Sequence, residues 1–169
     1  MLIACLIAMA EVAAAQSAPA DAIVGKWFTA DNEAIVEIYS TQSRDGETRY
    51  DGRIVWLAEP LVEEGHEEAG QPKRDIYNPD EGQRDQPIIG LVILNDFKYN
   101  TKKDRWDSGT IYDPNNGETY KCVIKRVAPS DAESAERIEV RGYVGIRLIG
   151  RTTVWTRVPD GEDPTHSSG

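Results

Sequence analysis

The sequence predicts an all-β fold: a single antiparallel up-and-down barrel of about eight or nine short strands. Three observations predict it. Apolar residues recur at a period of two, turn-forming clusters separate these segments, and no stretch carries the 3.6-residue pattern of an amphipathic helix. "GKWFT" near residue 25 opens the series. In "AIVEIYS" (34–40) Ala34, Val36 and Ile38 share one face, with Glu37 and Tyr39 opposite. "GRIVWL" (52–57), "IIGLVIL" (88–94), "RWDSGTIY" near 105, "ETYKCVIKRV" (118–127), "RIEVRGYVG" (137–145) and "RTTVWTRV" (151–158) follow, all rich in β-branched and aromatic residues. "RDGE" (44–47), "DPNNGE" (113–118) and the acidic "PSDAESAE" (129–136) supply the turns. Alternation with one apolar face favours antiparallel pairing, and closing the sheet removes exposed edges, so a barrel is expected in preference to a sandwich.

The 169 residues suit one domain with one core. The first 15 residues, "MLIACLIAMAEVAAA", are apolar over too short a run to span a bilayer and end in a small-residue Ala-x-Ala pattern, the signature of an export signal cleaved after Ala15. No Lys or Arg precedes the apolar run, which raises a true start upstream, and with it "LIAC" (2–5) raises lipidation of Cys5. Residues 16–22 read as a spacer, 23–158 as the barrel and 159–169 as a polar, flexible tail. These features place the protein in the periplasm or outside a bacterial cell, with no transmembrane segment in the mature chain. The net charge of −10 disfavours nucleic acid as a partner, because phosphate binding needs clustered Lys and Arg. Without the leader Cys122 is the only thiol; it alternates with Tyr120 and Ile124 and reads as a small buried residue, not a nucleophile.

Little in the chain looks like catalysis, and no catalytic residue or cofactor is assigned. Two histidines, His66 in an acidic loop and His166 in the tail, lack the rigid support a triad requires. Zinc is disfavoured by the ligand count. Calcium is raised by the hard oxygens of "EEGHEE" and "DIYNPD", yet "DPNNG" lacks calcium-loop spacing, and no metal site is assigned. Turn chemistry explains residues 113–117 without a ligand: Asp113 begins a type I turn, Pro114 presets its second position, and Asn116 or Gly117 takes positive φ before the next strand. The segment 59–87 is the irregularity, with nine acidic residues against Lys73, Arg74 and Arg84; a connection that long is either functional or partly disordered.

At the chain's ends, Trp27 on the entry strand can plug the barrel while Arg157 from the closing strand lies across its ring. This pair resembles the Gly-x-Trp and late-arginine pair of lipocalin-like barrels. "GKWFT", "DGRIVWL", "DIYNPD", "IIGLVILNDF", "DSGTIYDPNNGETY", "VRGYVG" and "GRTTVWTRV" together resemble the bacterial secreted family catalogued as domain of unknown function 2147, from Ile23 to Val158. The resemblance implies an exported lipocalin-like or fatty-acid-binding-like barrel and gives no residue a chemical role. The expected function is binding of a small, largely apolar molecule or lipid, with Trp56, Trp106, Tyr112 and Tyr120 as walls and Asp75, Asn78 and Arg84 as polar groups of a covering loop. The alternative is a non-catalytic envelope module whose acidic loop, through Glu63, Glu64, Glu67 and Glu68, meets a basic protein.

Overall fold

The computed structural model describes residues 20–128, 135–145, 150–159 and 161–166. The expected leader with Cys5, and residues 129–134 of the acidic turn, lie outside the described residues. Eight strands follow one another around a closed antiparallel barrel: β1 (Gly25–Phe28), β2 (Ala34–Gln42), β3 (Thr48–Leu57), β4 (Val92–Asn100), β5 (Arg105–Asp113), β6 (Glu118–Arg126), β7 (Arg137–Tyr143) and β8 (Gly150–Arg157). Closure comes from β8 returning to β1, with Trp27 opposite Arg157 and Phe28 opposite Thr156. The expected up-and-down barrel is the observed one.

One strand lies elsewhere than the periodicity suggests. Residues 88–91 are not strand: Leu91 N–H donates to the Ile88 carbonyl (3.1 Å) and Ile88 N–H to that of Lys73 (3.0 Å), so Ile88 ends a loop. The strand β4 starts at Val92 and runs into polar sequence as far as Asn100, through Asp96 at φ 60. That positive φ accompanies a register break between β3 and β4, which disrupts the apolar alternation there.

Alternate residues point inward. Trp27, Val36, Ile38, Tyr50, Ile54, Leu94, Phe97, Trp106, Cys122, Ile124, Ile138, Val140 and Trp155 are buried in one cluster. Two inward glycines make room for their neighbours: a Cβ at Gly109 would overlap the Phe97 ring, and one at Gly52 would meet Leu94 at 2.9 Å. The lower barrel is therefore filled by its own side chains.

The two ends differ in how they are finished. At one end the 3-10 turn Ala20–Ile23 enters beneath the strands. Residues 20–22, expected as spacer, are thus part of the fold. At the other end, the mouth, lie the β1–β2, β3–β4, β5–β6 and β7–β8 connections. The longest, residues 58–91, is folded on itself through the bridges Leu61–Pro72 and Arg74–Pro87, and Asp75 N–H donates to the Gln86 carbonyl (2.9 Å). At its end Ile88 joins the outward-facing Ile93 of β4 in the buried cluster, 8% and 6% exposed.

Candidate functional site

The corner between β5 and β6 is a self-satisfied turn. Asp113 accepts from the Asn115 N–H (3.0 Å) and the Asn116 side-chain amide (3.3 Å), while its carbonyl accepts from the Asn116 and Gly117 N–H groups (3.2 and 2.9 Å). Asn116 also donates to the Tyr120 hydroxyl (3.1 Å), tying the corner to an inward residue of β6. Gly117 sits at φ +73, as the turn requires, and a second constraint acts there: any Cβ would overlap the Tyr77 carbonyl oxygen. The "DIYNPD" and "DPNNG" stretches therefore meet and form one rim.

Asp75 holds that rim down. Its side chain is wholly buried, and its carboxylate accepts from the Tyr112 hydroxyl and the Asn78 amide, each at 2.7 Å. Burial pushes the Tyr112 hydroxyl up, reinforced by the Asp75 carboxylate it donates to, to about 12. The phenol consequently remains a donor throughout the neutral range. Asn78 turns back through its oxygen to the Asp80 N–H (2.9 Å), and its carbonyl accepts from Arg84 Nε (2.9 Å). Asp75, Asn78 and Arg84 thus form one bonded group, in which the expected covering-loop residues act as fasteners. The carboxylates of Asp75 and Asp113 both have their partners, which leaves no acid–base pair converging on one position here.

The four aromatic wall candidates divide by face. Trp106 is inward and fully buried, and Tyr120 is inward and half-buried near the mouth. Tyr112 is outward, since Ile111 beside it pairs with the inward Leu94. Trp56 is also outward, because it pairs with Ile35 while Trp27, Val36 and Ile54 occupy the inner face. Its edge packs on Phe28, with ring centroids 6.3 Å apart. Alternation alone misplaces Trp56, because the β2–β3 register shifts between Ile35 and Val36. The inner face near the mouth is made instead by Leu57, Ile111 and Tyr120, all half-buried, whereas Val92 is 38% exposed and pairs with the outward Arg53 across the β3–β4 register break. Leu57 and Ile111 are additions to the sequence-based set, found only through the register.

At the plugged end Arg157 lies over Trp27, its guanidinium carbon 4.2 Å from the ring centroid. The same guanidinium donates to the carbonyls of Ala22 (2.7 Å) and Val24 (3.0 Å) and pairs with Glu136. Gly25 admits it, since a Cβ there would approach Arg157 Nη1 to 2.5 Å. Trp27 and Trp106 donate their indole N–H groups to the Ile23 and Ala20 carbonyls (2.8 and 2.9 Å), and Tyr50 donates to Asp21 (2.9 Å).

Cys122 is buried inside the barrel, and that burial pushes its thiol up to about 12, so it is not a nucleophile at neutral pH. His66 is exposed. In the acidic loop a cavity of about 730 Å³ is lined by Glu67, Glu68, Gln71, Pro72, Arg74, Asp85 and Pro87, with Arg74 bonded to both Glu68 and Asp85. Among the described residues no group of three or more His, Cys, Asp or Glu side chains is placed to hold a metal, and no helix is long and apolar enough to cross a membrane.

Residues 25–157, almost the whole barrel, match the family model for DUF2147, described as an uncharacterized protein conserved in bacteria. The chain belongs to this family. A solved structure of a Helicobacter pylori protein, HP1028, described as belonging to the lipocalin family, superposes with a TM-score of 0.59 at 20% sequence identity, over 82% of this chain and 84% of that one. At that identity the likeness concerns the fold: this DUF2147 barrel is lipocalin-like. No curated protein matches the chain in sequence.

Proposed function

We propose that this DUF2147 protein is an exported, non-catalytic barrel that binds a small, largely apolar ligand in the periplasm, at the mouth of the barrel. The observation that carries the reading is the contrast along the inner face. The side chains at the plugged end are buried to within a few per cent, whereas Leu57, Ile111 and Tyr120 at the mouth are only half-buried and keep part of their surface exposed. Exposed apolar surface in a concave setting, with a few fixed polar groups at its edge, is what small-molecule sites consist of. Here Tyr120, held by Asn116, supplies the polar edge. The lipocalin-like fold supports the same reading. Native mass spectrometry of protein purified from a bacterial envelope, with titration of the fluorophore N-phenyl-1-naphthylamine, tests it. A bound small molecule and saturable, 1:1 fluorophore binding are expected; a bare mass together with no fluorophore binding overturns the proposal.

One observation favours a second reading, docking of a basic protein on the rim. Ile76 and Tyr77 are 54% and 58% exposed although the residues on either side, Asp75 and Asn78, are bonded in place. An apolar pair held rigidly among acidic residues suits a partner with a basic edge. Salt-sensitive capture of one protein, lost on Tyr77→Ser and on replacing Glu63, Glu64, Glu67 and Glu68 by Gln, is the outcome this reading requires.

A further inference from the structure

We infer that the ligand is compact: its apolar part is no longer than a chain of about six carbons, because the barrel beneath the mouth has a solid floor. The inference rests on mouth binding as proposed above and specifies what that site admits. The floor is made by Ile54 and Leu94, 4% and 0% exposed, with Cys122 and Val140, 0% and 2% exposed, beside them. Two inward glycines, positions where a barrel lining would be expected to open, give no extra room. The space beside Gly52 is taken by Leu94 and Val36, and that beside Gly109 by the Phe97 ring. Below this layer Tyr99 leans on Trp106 with ring centroids 5.0 Å apart, and the Ala20–Ile23 turn closes the end.

The open layer above the floor is therefore one inward step deep. Ile111 stands one inward position above Gly109, and Tyr120 one above Cys122. One such step is about 7 Å along a strand. An extended hydrocarbon of roughly five or six carbons covers that distance. A long acyl chain would need Leu94 or Ile54 to leave its place, at the cost of a packed core. The ligand class that fits is a small amphiphile or a single ring, seated on Leu94 and Ile54 with its polar part beside Tyr120.

The n-alkanols from butanol to dodecanol serve as a ruler, with binding measured by displacement of N-phenyl-1-naphthylamine. Affinity is expected to rise about fourfold per methylene, as each is buried, and then to level off near six carbons. Leu94→Ala lowers one side of the floor and should move the break two or three carbons further; Leu94→Val, which keeps most of the packing, should move it by about one. Ile111→Trp fills the mouth and should weaken every alcohol by at least tenfold. A rise continuing through dodecanol in the unmodified protein overturns the solid floor while leaving ligand binding intact. A break that Leu94 variants do not move, or binding indifferent to Ile111→Trp, also overturns it. Failure of every alcohol and of the fluorophore to bind removes mouth binding itself, and the length limit with it.

Discussion

The two ends of the barrel are finished by opposite means. At the plugged end inward side chains are tied to the backbone of one short turn: Trp27, Trp106 and Arg157 all donate to carbonyls between Ala20 and Val24. At the mouth the fastening is on the outside, where Asp75 of the long connection is gripped by the outward Tyr112 and the Tyr77 carbonyl rests against Gly117. Inward fastening fills the interior; outward fastening organises a rim and leaves the interior face free. The difference teaches where stability and where binding are concentrated in this fold.

Disrupting the plug should have the largest effect. Trp27→Ala removes a fully buried indole and the surface on which Arg157 lies, an expected loss of about 3–5 kcal/mol in chemical unfolding. Tyr112→Phe acts at the other end. It deprives the buried Asp75 carboxylate of one of its two donors, for about 1–3 kcal/mol, and amide exchange should accelerate across residues 73–88 while protection near Trp106 persists. Uniform acceleration over the whole barrel would refute the separation of the two ends. Gly117→Ala is compared with Gly145→Ala: both positions have positive φ, at about 1–2 kcal/mol for any side chain, but only residue 117 meets the Tyr77 carbonyl. The excess loss at 117 measures that contact, and equal losses would mean the rim does not rest there.

The smallest effect is expected where the C-terminal segment returns. Asp163 accepts from Lys26 Nζ at 2.5 Å, and Thr165 accepts from the same ammonium at 2.7 Å. Partial burial pushes the Asp163 carboxyl up, but the bonds from Lys26 and Thr165 outweigh it and hold the group at about 2. A carboxyl whose folded value is depressed contributes stability that is fully present above its ordinary value near 3.8 and disappears as pH falls through about 2. Between pH 4 and pH 2 the unmodified protein should thus lose more stability than Asp163→Asn, a difference readable from thermal midpoints. Parallel loss in both would separate this segment from the acid response.

Much of the barrel was legible from alternation, because β2, β6 and β7 keep one apolar face with few interruptions. It failed where the backbone departs from a regular strand. "IIGLVIL" reads as a strand although Gly90, at φ +100, and Ile88 belong to a turn, and the polar half of β4 is hidden by the bend at Asp96. The turn chemistry of residues 113–117 was legible down to the positive φ at Gly117. The grip of Tyr112 on Asp75 was not: 37 residues separate them, and nothing in alternation says which outward tyrosine meets which loop carboxylate. Gly25 is intermediate. Its place beside Trp27 was visible, but its reason, space for the Arg157 guanidinium, belongs to the closed barrel.

The burial of Cys122 has a practical consequence. In protein starting at residue 16 it is the sole sulfhydryl, walled in beside Gly109 and Gly142 at the middle of the interior. An alkylating reagent should reach it only when the staves part, so the rate of its labelling becomes a clock for barrel opening, read without any engineered dye. A ligand seated above it at the mouth would slow that clock.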